Sequence, residues 1–426
     1  MLRSSVTLVG ISLYACVACP LHAQSWTSEL ESALNARFEE MMGKPHVVNA
    51  CALVDANGGE LEWKKAAGFA NPTTKEKMTT SHQFRTASVS KSFTGCVIVQ
   101  LIEEGKLTFD TPLSQVLGPD RIPWNKTLAA IHQFEGKEFG EDITIRHLLN
   151  HTSGLSDYWF DKGTKGSWKN KTWLDVFEQE ALGVLPEIFD PPTRLWHPNE
   201  VLQFHYETGL NESAHFQPGK KYLYSDTNFL LLGMVIEDLT GKSYSENLRK
   251  RIFEPLEMTS TYTEFREKPT PPNQLAHHFF LIKGENLDVV ELKLASTAEW
   301  ANGGHVTTLS DLRHFIRALF AGKLFKKEET LDRMLNAARL SLDEPQKYFD
   351  NGESTSNRYS CGLERWKIGE TEVWGHTGFW GIGMFYIPVS DVSIVFAKNQ
   401  VEGSVEDELR MFAKSLNDNG LLPGEK

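Results

Sequence analysis

Residues 84–94 read Phe84-Arg85-Thr86-Ala87-Ser88-Val89-Ser90-Lys91-Ser92-Phe93-Thr94. From Ser88 onward the pattern turns helical, because Val89, Phe93, Val97 and Leu101 recur at three- and four-residue spacing and share one apolar face. A serine opening a helix is ordinarily an N-cap, and a lysine one turn on is ordinarily solvated. Two features favour more than that. Residues three apart on a helix face the same way, so Lys91 can reach the Ser88 hydroxyl. A helix start also offers unpaired N–H groups and the positive end of the backbone dipole, both of which favour an oxyanion. A lysine desolvated beside a serine can lose its proton and act as a base. This Ser-x-x-Lys spacing occurs nowhere else in the chain.

On either side of this helix the pattern changes. Trp26, Leu30, Leu34, Phe38 and Met41 predict a helix that Gly43 and Pro45 stop. Residues 47–70 read as a β-hairpin around Asp55-Ala56-Asn57-Gly58-Gly59. The middle of the chain is helix and loop, with apolar helices over 229–239, closed by Gly241, and over 309–320. Strands return at 371–376, 383–387 and 392–398, with Pro388-Val389-Ser390-Asp391 as a turn. Val405, Leu409, Phe412 and Leu416 form a last amphipathic helix capped by Ser404. Strands at both ends around a helical middle predict an α/β (α+β) fold. Its antiparallel sheet is built from both chain ends, about residues 24–87 and 357–426, with flanking helices and an inserted, mostly helical subdomain over about 88–356. One domain therefore spans 24–426. There is no internal repeat and no low-complexity stretch.

Composition narrows the function. The 426 residues carry a formal net charge of −12, with 40% hydrophobic and 23% charged residues. Such an acidic chain repels nucleic acid and anionic membrane, so neither is an expected partner. At the N-terminus, Arg3, a short apolar run over 6–18 and Leu21-His22-Ala23 read as a signal peptide over 1–23. The run falls short of the ~20 residues a spanning helix needs. The mature chain is thus expected to be exported, periplasmic or secreted, without a transmembrane span. Lipidation at Cys16 or Cys19 fits less well, because Tyr14 and Cys16 stand badly in the respective attachment patterns. Cys51, Cys96 and Cys361 remain, an odd set with no C-x-x-C pair, which describes neither a disulfide framework nor a metal site. No metal or other cofactor is expected. Gly241-Lys242-Ser243 lacks the upstream glycine of a phosphate loop and reads as a helix end.

The segment 84–94 resembles the active-site stretch of the serine β-lactamase and penicillin-binding protein superfamily. It is closest to the class C branch, which includes DD-peptidases, D-aminopeptidases and esterases. Further segments resemble that branch in its order: Ile143 to Leu155, with His147-Leu148-Leu149-Asn150-His151-Thr152-Ser153-Gly154; Tyr224-Ser225-Asp226 after Pro218-Gly219; Gly303-Gly304; and Trp374-Gly375-His376-Thr377-Gly378. The resemblance implies the composite fold and gives each residue a role. Ser88 is the nucleophile, and Lys91 and Tyr224 share its proton. His376 stands where most β-lactamases carry lysine. The backbone N–H groups of Ser88 and Phe379 form the oxyanion hole, the latter left unpaired by an edge strand. Asp226, Thr377 and Gly378 meet the substrate. His147, His151, Thr152, Ser153 and Gly154 are scaffold.

Two departures bear on substrate. The branch carries Asn where this chain has Asp226, and an ionised carboxylate cannot donate a hydrogen bond. His376 replaces a lysine. Both make the pocket less positive, which disfavours carboxylate-bearing β-lactams and D-Ala-D-Ala peptides unless Arg85 or Lys220 restores the charge. An ester or D-amino-acid-type amide is therefore the expected small-molecule or peptide substrate, with a free amine a candidate partner for Asp226. The competing readings are a D-alanyl-D-alanine carboxypeptidase or β-lactamase, and a catalytically silent scaffold. Trp159, Phe160, Trp168, Trp173, Trp196 and Phe204 read first as packing and second as an apolar acyl pocket. Loops over 125–141 and 162–216 are expected to shape the cleft.

Overall fold

A computed structural model describes residues 26–183, 195–292, 294–337 and 359–422. The stretch read as a signal peptide, 1–23, lies outside the described residues, as does 184–194 of the second loop.

The hairpin forms as β1 (Asn49–Ala56) and β2 (Leu61–Asn71), followed by the short β3 (Glu76–Lys77). Near the C-terminus come β4 (Glu364–Ile368), β5 (Thr371–Gly378), β6 (Ile382–Ile387) and β7 (Val392–Ala397). Among the described residues these seven form one antiparallel sheet in the order β4-β5-β6-β7-β1-β2-β3. Pairing of Cys51 with Ala397 joins the two chain ends, so the sheet closes only when residues more than 300 apart meet.

Every residue of β1 is buried, because the sheet is covered on both faces. Alternation sorts the side chains. Cys51 and Leu53 enter the larger core, under the helical part of the molecule. Ala50, Ala52 and Val54 enter a second core against α1 (Ser28–Met42) and the C-terminal helix Val405–Asp418. The two helices pack against each other across that face. The hairpin turn is tighter than the sequence reading placed it. Asp55 and Ala56 remain in the strand, and Asp55 is buried on Ser393 and Arg317. Asn57, Gly58 and Gly59, all at positive φ, make the turn.

The helix after Ser88 does not begin at Ser88. The chain runs through a 3-10 turn, Ala87–Val89, and only then enters α2 (Ser90–Glu103). Almost all of α2 is buried. Phe93 anchors it edge-on against Phe315 and Phe253, at centroid distances of 4.6 and 5.5 Å. Fully burying one such side chain is worth roughly 1.5–3 kcal/mol. Its neighbour α3 (Asp226–Thr240) ends at Gly241, whose left-handed φ of 65° closes the helix. Beyond it, α4 (Leu309–Phe320) caps with Thr308 and lies on the sheet.

Candidate active site

Ser88 is presented by a clamped segment. Phe84 and Arg85 pair with Val306 and Thr307 in a short ladder. The Arg85 guanidinium grips Glu264 bidentately, at 2.8 and 3.0 Å, and also donates to the carbonyls of Val289 and Val290. Arg85 is thus spent inside the fold and does not supply charge to a substrate. Thr86 N–H donates to the His305 carbonyl at 2.9 Å, and Ala87 adopts a φ of +44°. A non-glycine residue held in that region costs of order 1–3 kcal/mol and persists only where its surroundings enforce it. Here it turns the chain so that Ser88 is half-buried while its neighbours on both sides, 82–87 and 89–102, are buried.

Lys91, with 0% exposure, points at Ser88. Its Nζ lies 2.9 Å from Ser88 Oγ, 2.9 Å from the Asn302 carbonyl and 2.6 Å from Asp226 Oδ1. Lys91 thus donates two hydrogen bonds and sits in an ion pair with the carboxylate, whose Oδ1 closes no hydrogen bond of ordinary geometry. The Tyr224 ring passes 4.9 Å from the same Nζ. The Tyr224 hydroxyl faces Ser88 without closing a hydrogen bond of ordinary geometry. Burial, and then the charge of Asp226, push its phenol well above the usual range, so it holds its proton.

His151 places Tyr224. It accepts from Ser225 N–H at 3.1 Å and stacks on the Tyr224 ring at 4.2 Å. Burial, reinforced by Lys91, holds its imidazole neutral. His376, 1% exposed, is likewise neutral, its pKa lowered to about 3 by burial and then by Lys91. Its Nδ1–H donates to the Thr377 carbonyl at 2.6 Å, which leaves Nε2 to accept from the Tyr359 hydroxyl at 3.1 Å. His376 is therefore no surface histidine, and it is not a cation.

Contrary to the edge strand expected from sequence, β5 is an interior strand, flanked by β4 and β6 because Glu364–Ile368 adds a further strand outside it. However, β4 begins at Glu364, opposite Gly375, so the stretch from His376 onward runs past the β4 ladder. Gly378 there comes so close to the 3-10 turn that a Cβ would stand 2.4 Å from the Thr86 carbonyl oxygen. Among the described residues, the N–H groups of Ser88 and Phe379 have no acceptor. Thr377 and Phe379 are half-buried, on the accessible side of this strand end.

The structure thus brings together Ser88, Lys91, Tyr224, Asp226 and, around Tyr359, His376. Asp226 Oδ1 stands 2.6 Å from Lys91 Nζ, a contact the sequence reading did not foresee. Sequence reasoning missed Asn302, Tyr359, Asp157, Glu299 and Glu364. Asn302 supplies the carbonyl under Lys91 and donates to Tyr158 Oη at 2.7 Å. Asp157 accepts from Asp226 N–H at 2.9 Å and orients the start of α3. Burial, and then Asp226, push Asp157 well up and Glu299 up to about 8; Glu364, 3.8 Å from His376 Nε2, is also pushed up to about 8 by burial first. Gly303 was the available signal for Glu299, since a Cβ there would stand 2.5 Å from Glu299 Oε2.

The mid-chain aromatics pack mainly on one another. Trp173 lies 4.8 Å from Trp196 and 4.6 Å from Phe204, while Phe160 is 49% exposed. Cys51, Cys96 and Cys361 are buried free thiols. Among the described residues no group of three or more His, Cys, Asp or Glu is placed to hold a metal, and no helix is long and apolar enough to cross a membrane.

Comparison with known proteins gives one consistent result. The family model described as Beta-lactamase matches residues 34–417. Penicillin-binding protein 4* of Bacillus subtilis is 29% identical over 241 residues, 57% of this chain and 43% of that protein, so the chain spans under half of that relative's length. The D-amino acid amidase of Ochrobactrum anthropi, solved with D-phenylalanine, superposes with a TM-score of 0.70 at 23% identity, covering 92% of this chain and 99% of that one. A D-stereospecific amidohydrolase from Streptomyces superposes with a TM-score of 0.66 at 25% identity, covering 89% and 96%. With the sheet, the clamped serine and a family match over nearly the whole described chain, this protein belongs to the beta-lactamase family.

Proposed function

We propose that this chain is a serine hydrolase that forms an acyl-enzyme on Ser88, acting on neutral esters or on D-amino-acid-type amides. The observation that carries this reading is the buried Lys91 amino group 2.9 Å from the hydroxyl of a half-buried serine on a strained turn. Ser88 Oγ attacks the substrate carbonyl carbon while its proton passes into the Lys91–Tyr224 pair. The N–H groups of Ser88 and Phe379 receive the developing oxyanion, and the pair then protonates the leaving group. Water attacks the acylated Ser88 along the same proton path. A positioned base contributes about 10²–10⁴ in rate, and one oxyanion donor about 10²–10³. Thr377, half-buried at the strand end beside Ser88, and the backbone of Gly378 would meet the substrate. Export by residues 1–23, with work in the periplasm or outside the cell, belongs to the same proposal.

Charge supports the choice of substrate. His376 is neutral and Arg85 is spent on Glu264, so neither offers a cation to a substrate carboxylate. A missing charge-assisted hydrogen bond is worth ~1.5–3 kcal/mol, or about ten- to a hundredfold. The solved amidase and amidohydrolase relatives fit an amide as well as an ester. The test compares kcat/KM for a p-nitrophenyl ester, a D-amino acid anilide, benzylpenicillin and a D-Ala-D-Ala peptide. The ester or anilide is expected to exceed both carboxylate-bearing substrates by about tenfold or more. Penicillin turnover near the diffusion limit, or D-alanine release faster than ester hydrolysis, would contradict the assignment.

A further inference from the structure

We propose that Asp226 is the acceptor for the proton that Lys91 sheds during acylation, so that Ser88, Lys91 and Asp226 form a relay. This rests on the acyl-enzyme reading above. In the resting site Lys91 donates to Ser88 Oγ and to the Asn302 carbonyl, and its Nζ stands 2.6 Å from Asp226 Oδ1 in an ion pair that closes no hydrogen bond of ordinary geometry. An ammonium so arranged donates to Ser88 and has no lone pair to take its proton. It must release one hydrogen as it receives another. Of the three oxygens around Nζ, a peptide carbonyl is not a base and Ser88 is the donor in question. Only the Asp226 carboxylate, 2.6 Å away, can take the proton. Tyr224 does not substitute as the resting base, because burial and the charge of Asp226 keep its phenol protonated.

The surroundings keep this arrangement in place. Asp157 fixes the Asp226 backbone through a 2.9 Å hydrogen bond. The Asn302 side chain donates to the Asp226 carbonyl at 3.2 Å while its own carbonyl holds Lys91, so one residue sets both partners. Burial, and then Asp226, push the carboxyls of Asp157 and Glu299 up, while Asp226 is the carboxylate that stands against Lys91 Nζ. His151, His376 and Glu364 also face Lys91, the first two as neutral imidazoles.

The step balances. The Ser88 O–H bond breaks as the Ser88 O–C bond forms, and that proton goes to Lys91 Nζ. One Lys91 N–H bond breaks as an Asp226 O–H bond forms. The single negative charge moves from Asp226 to the tetrahedral oxyanion. On collapse, Lys91 protonates the departing alkoxide or amine and recovers its hydrogen from Asp226. An amide in place of Asp226 would hold Lys91 but take no proton. Asp226 acts through Lys91 and touches no reacting atom, so it is a positioning residue for that proton.

The test is the acylation rate from the burst phase with a p-nitrophenyl ester, in wild type, Asp226→Asn and Asp226→Glu, with intact mass reporting the adduct on Ser88. Asp226→Asn is expected to slow acylation by about 100-fold or more with little change in KM, and Asp226→Glu to recover part of that loss. In mixed H2O and D2O the wild-type acylation rate is expected to give a curved proton inventory, with two protons in flight. Asp226→Asn acylating within threefold of wild type, or a linear wild-type inventory, would overturn the relay while leaving the Ser88 acyl-enzyme standing. If Asp226→Asn does not fold, the wild-type inventory decides alone. Absence of any Ser88 adduct in the wild type would overturn the underlying reading and the relay with it.

Discussion

Replacing Lys91 by alanine is expected to lower turnover by about 10³-fold or more and to destabilise the fold in the same step. The first effect follows from position, since Lys91 carries the amino group that exchanges a proton with Ser88, 2.9 Å away. The second follows from burial. Asp226 is only 8% exposed at its side chain, and Lys91 is its cation. Removing one partner of a buried ion pair typically costs ~3–5 kcal/mol, because the other charge is left uncompensated. Neutralising both partners removes the stranded charge. Lys91→Met combined with Asp226→Asn should therefore recover most of the lost stability while remaining inactive. Urea midpoints for the single and double variants, beside burst kinetics, check both halves. A Lys91→Ala protein as stable as wild type would show that the pair is not the buried contact described.

Gly378→Ala is expected to lower kcat by about 100-fold or more with a folded protein. The added methyl would stand 2.4 Å from the Thr86 carbonyl and 3.1 Å from the Ile382 Cβ. The end of β5 must then move away from the turn that carries Ser88. That displacement falls on Phe379 N–H, the donor proposed for the oxyanion. Loss of one such donor costs about 10²–10³, and a shift near 1 Å alone can cost about 10². Because the donor acts on the charge of the transition state, kcat should fall more than KM rises. Steady-state kinetics with a neutral ester measure this, with circular dichroism as the fold control. A kcat within threefold of wild type would remove Phe379 from the oxyanion hole.

Local signals proved sufficient for the frame of this molecule. The helix over 309–320 matches α4 at both ends, since Thr308 caps it and its apolar stripe has only one period. The two-stranded start and three of the four strands at the end were readable from β-rich runs and turn residues, and strands at both ends of a helical middle implied their union into one sheet; Glu364–Ile368 was not read as a strand. The misplacements are where tertiary contacts override local pattern. Ser88 lies in the middle of a 3-10 turn rather than at the head of the α-helix, because Thr86 is held by His305 and Ala87 is forced to positive φ. Asp55 reads as a turn residue yet is drawn into the sheet by Arg317, 262 residues on.

The site divides in the same way. Ser88 and Lys91, one helical turn apart, were visible together. The atoms that define the state of Lys91 were not, because the Asn302 carbonyl lies 211 residues away and has no side-chain signature. Asp226 was visible as a departure from the branch's pattern. Its contact with Lys91 required the fold. Tyr359 carries no periodic or motif signal and is tied to the site through His376 and through edge-on contacts with His151 and Tyr224.

Intact-mass spectrometry after a fluorophosphonate probe, on the folded protein and on Ser88→Ala, tests the central claim most directly. A single adduct on the wild type that is absent from Ser88→Ala is the expected result and marks Ser88 as an activated nucleophile. An unlabelled wild-type protein, or a label that persists in Ser88→Ala, would contradict it.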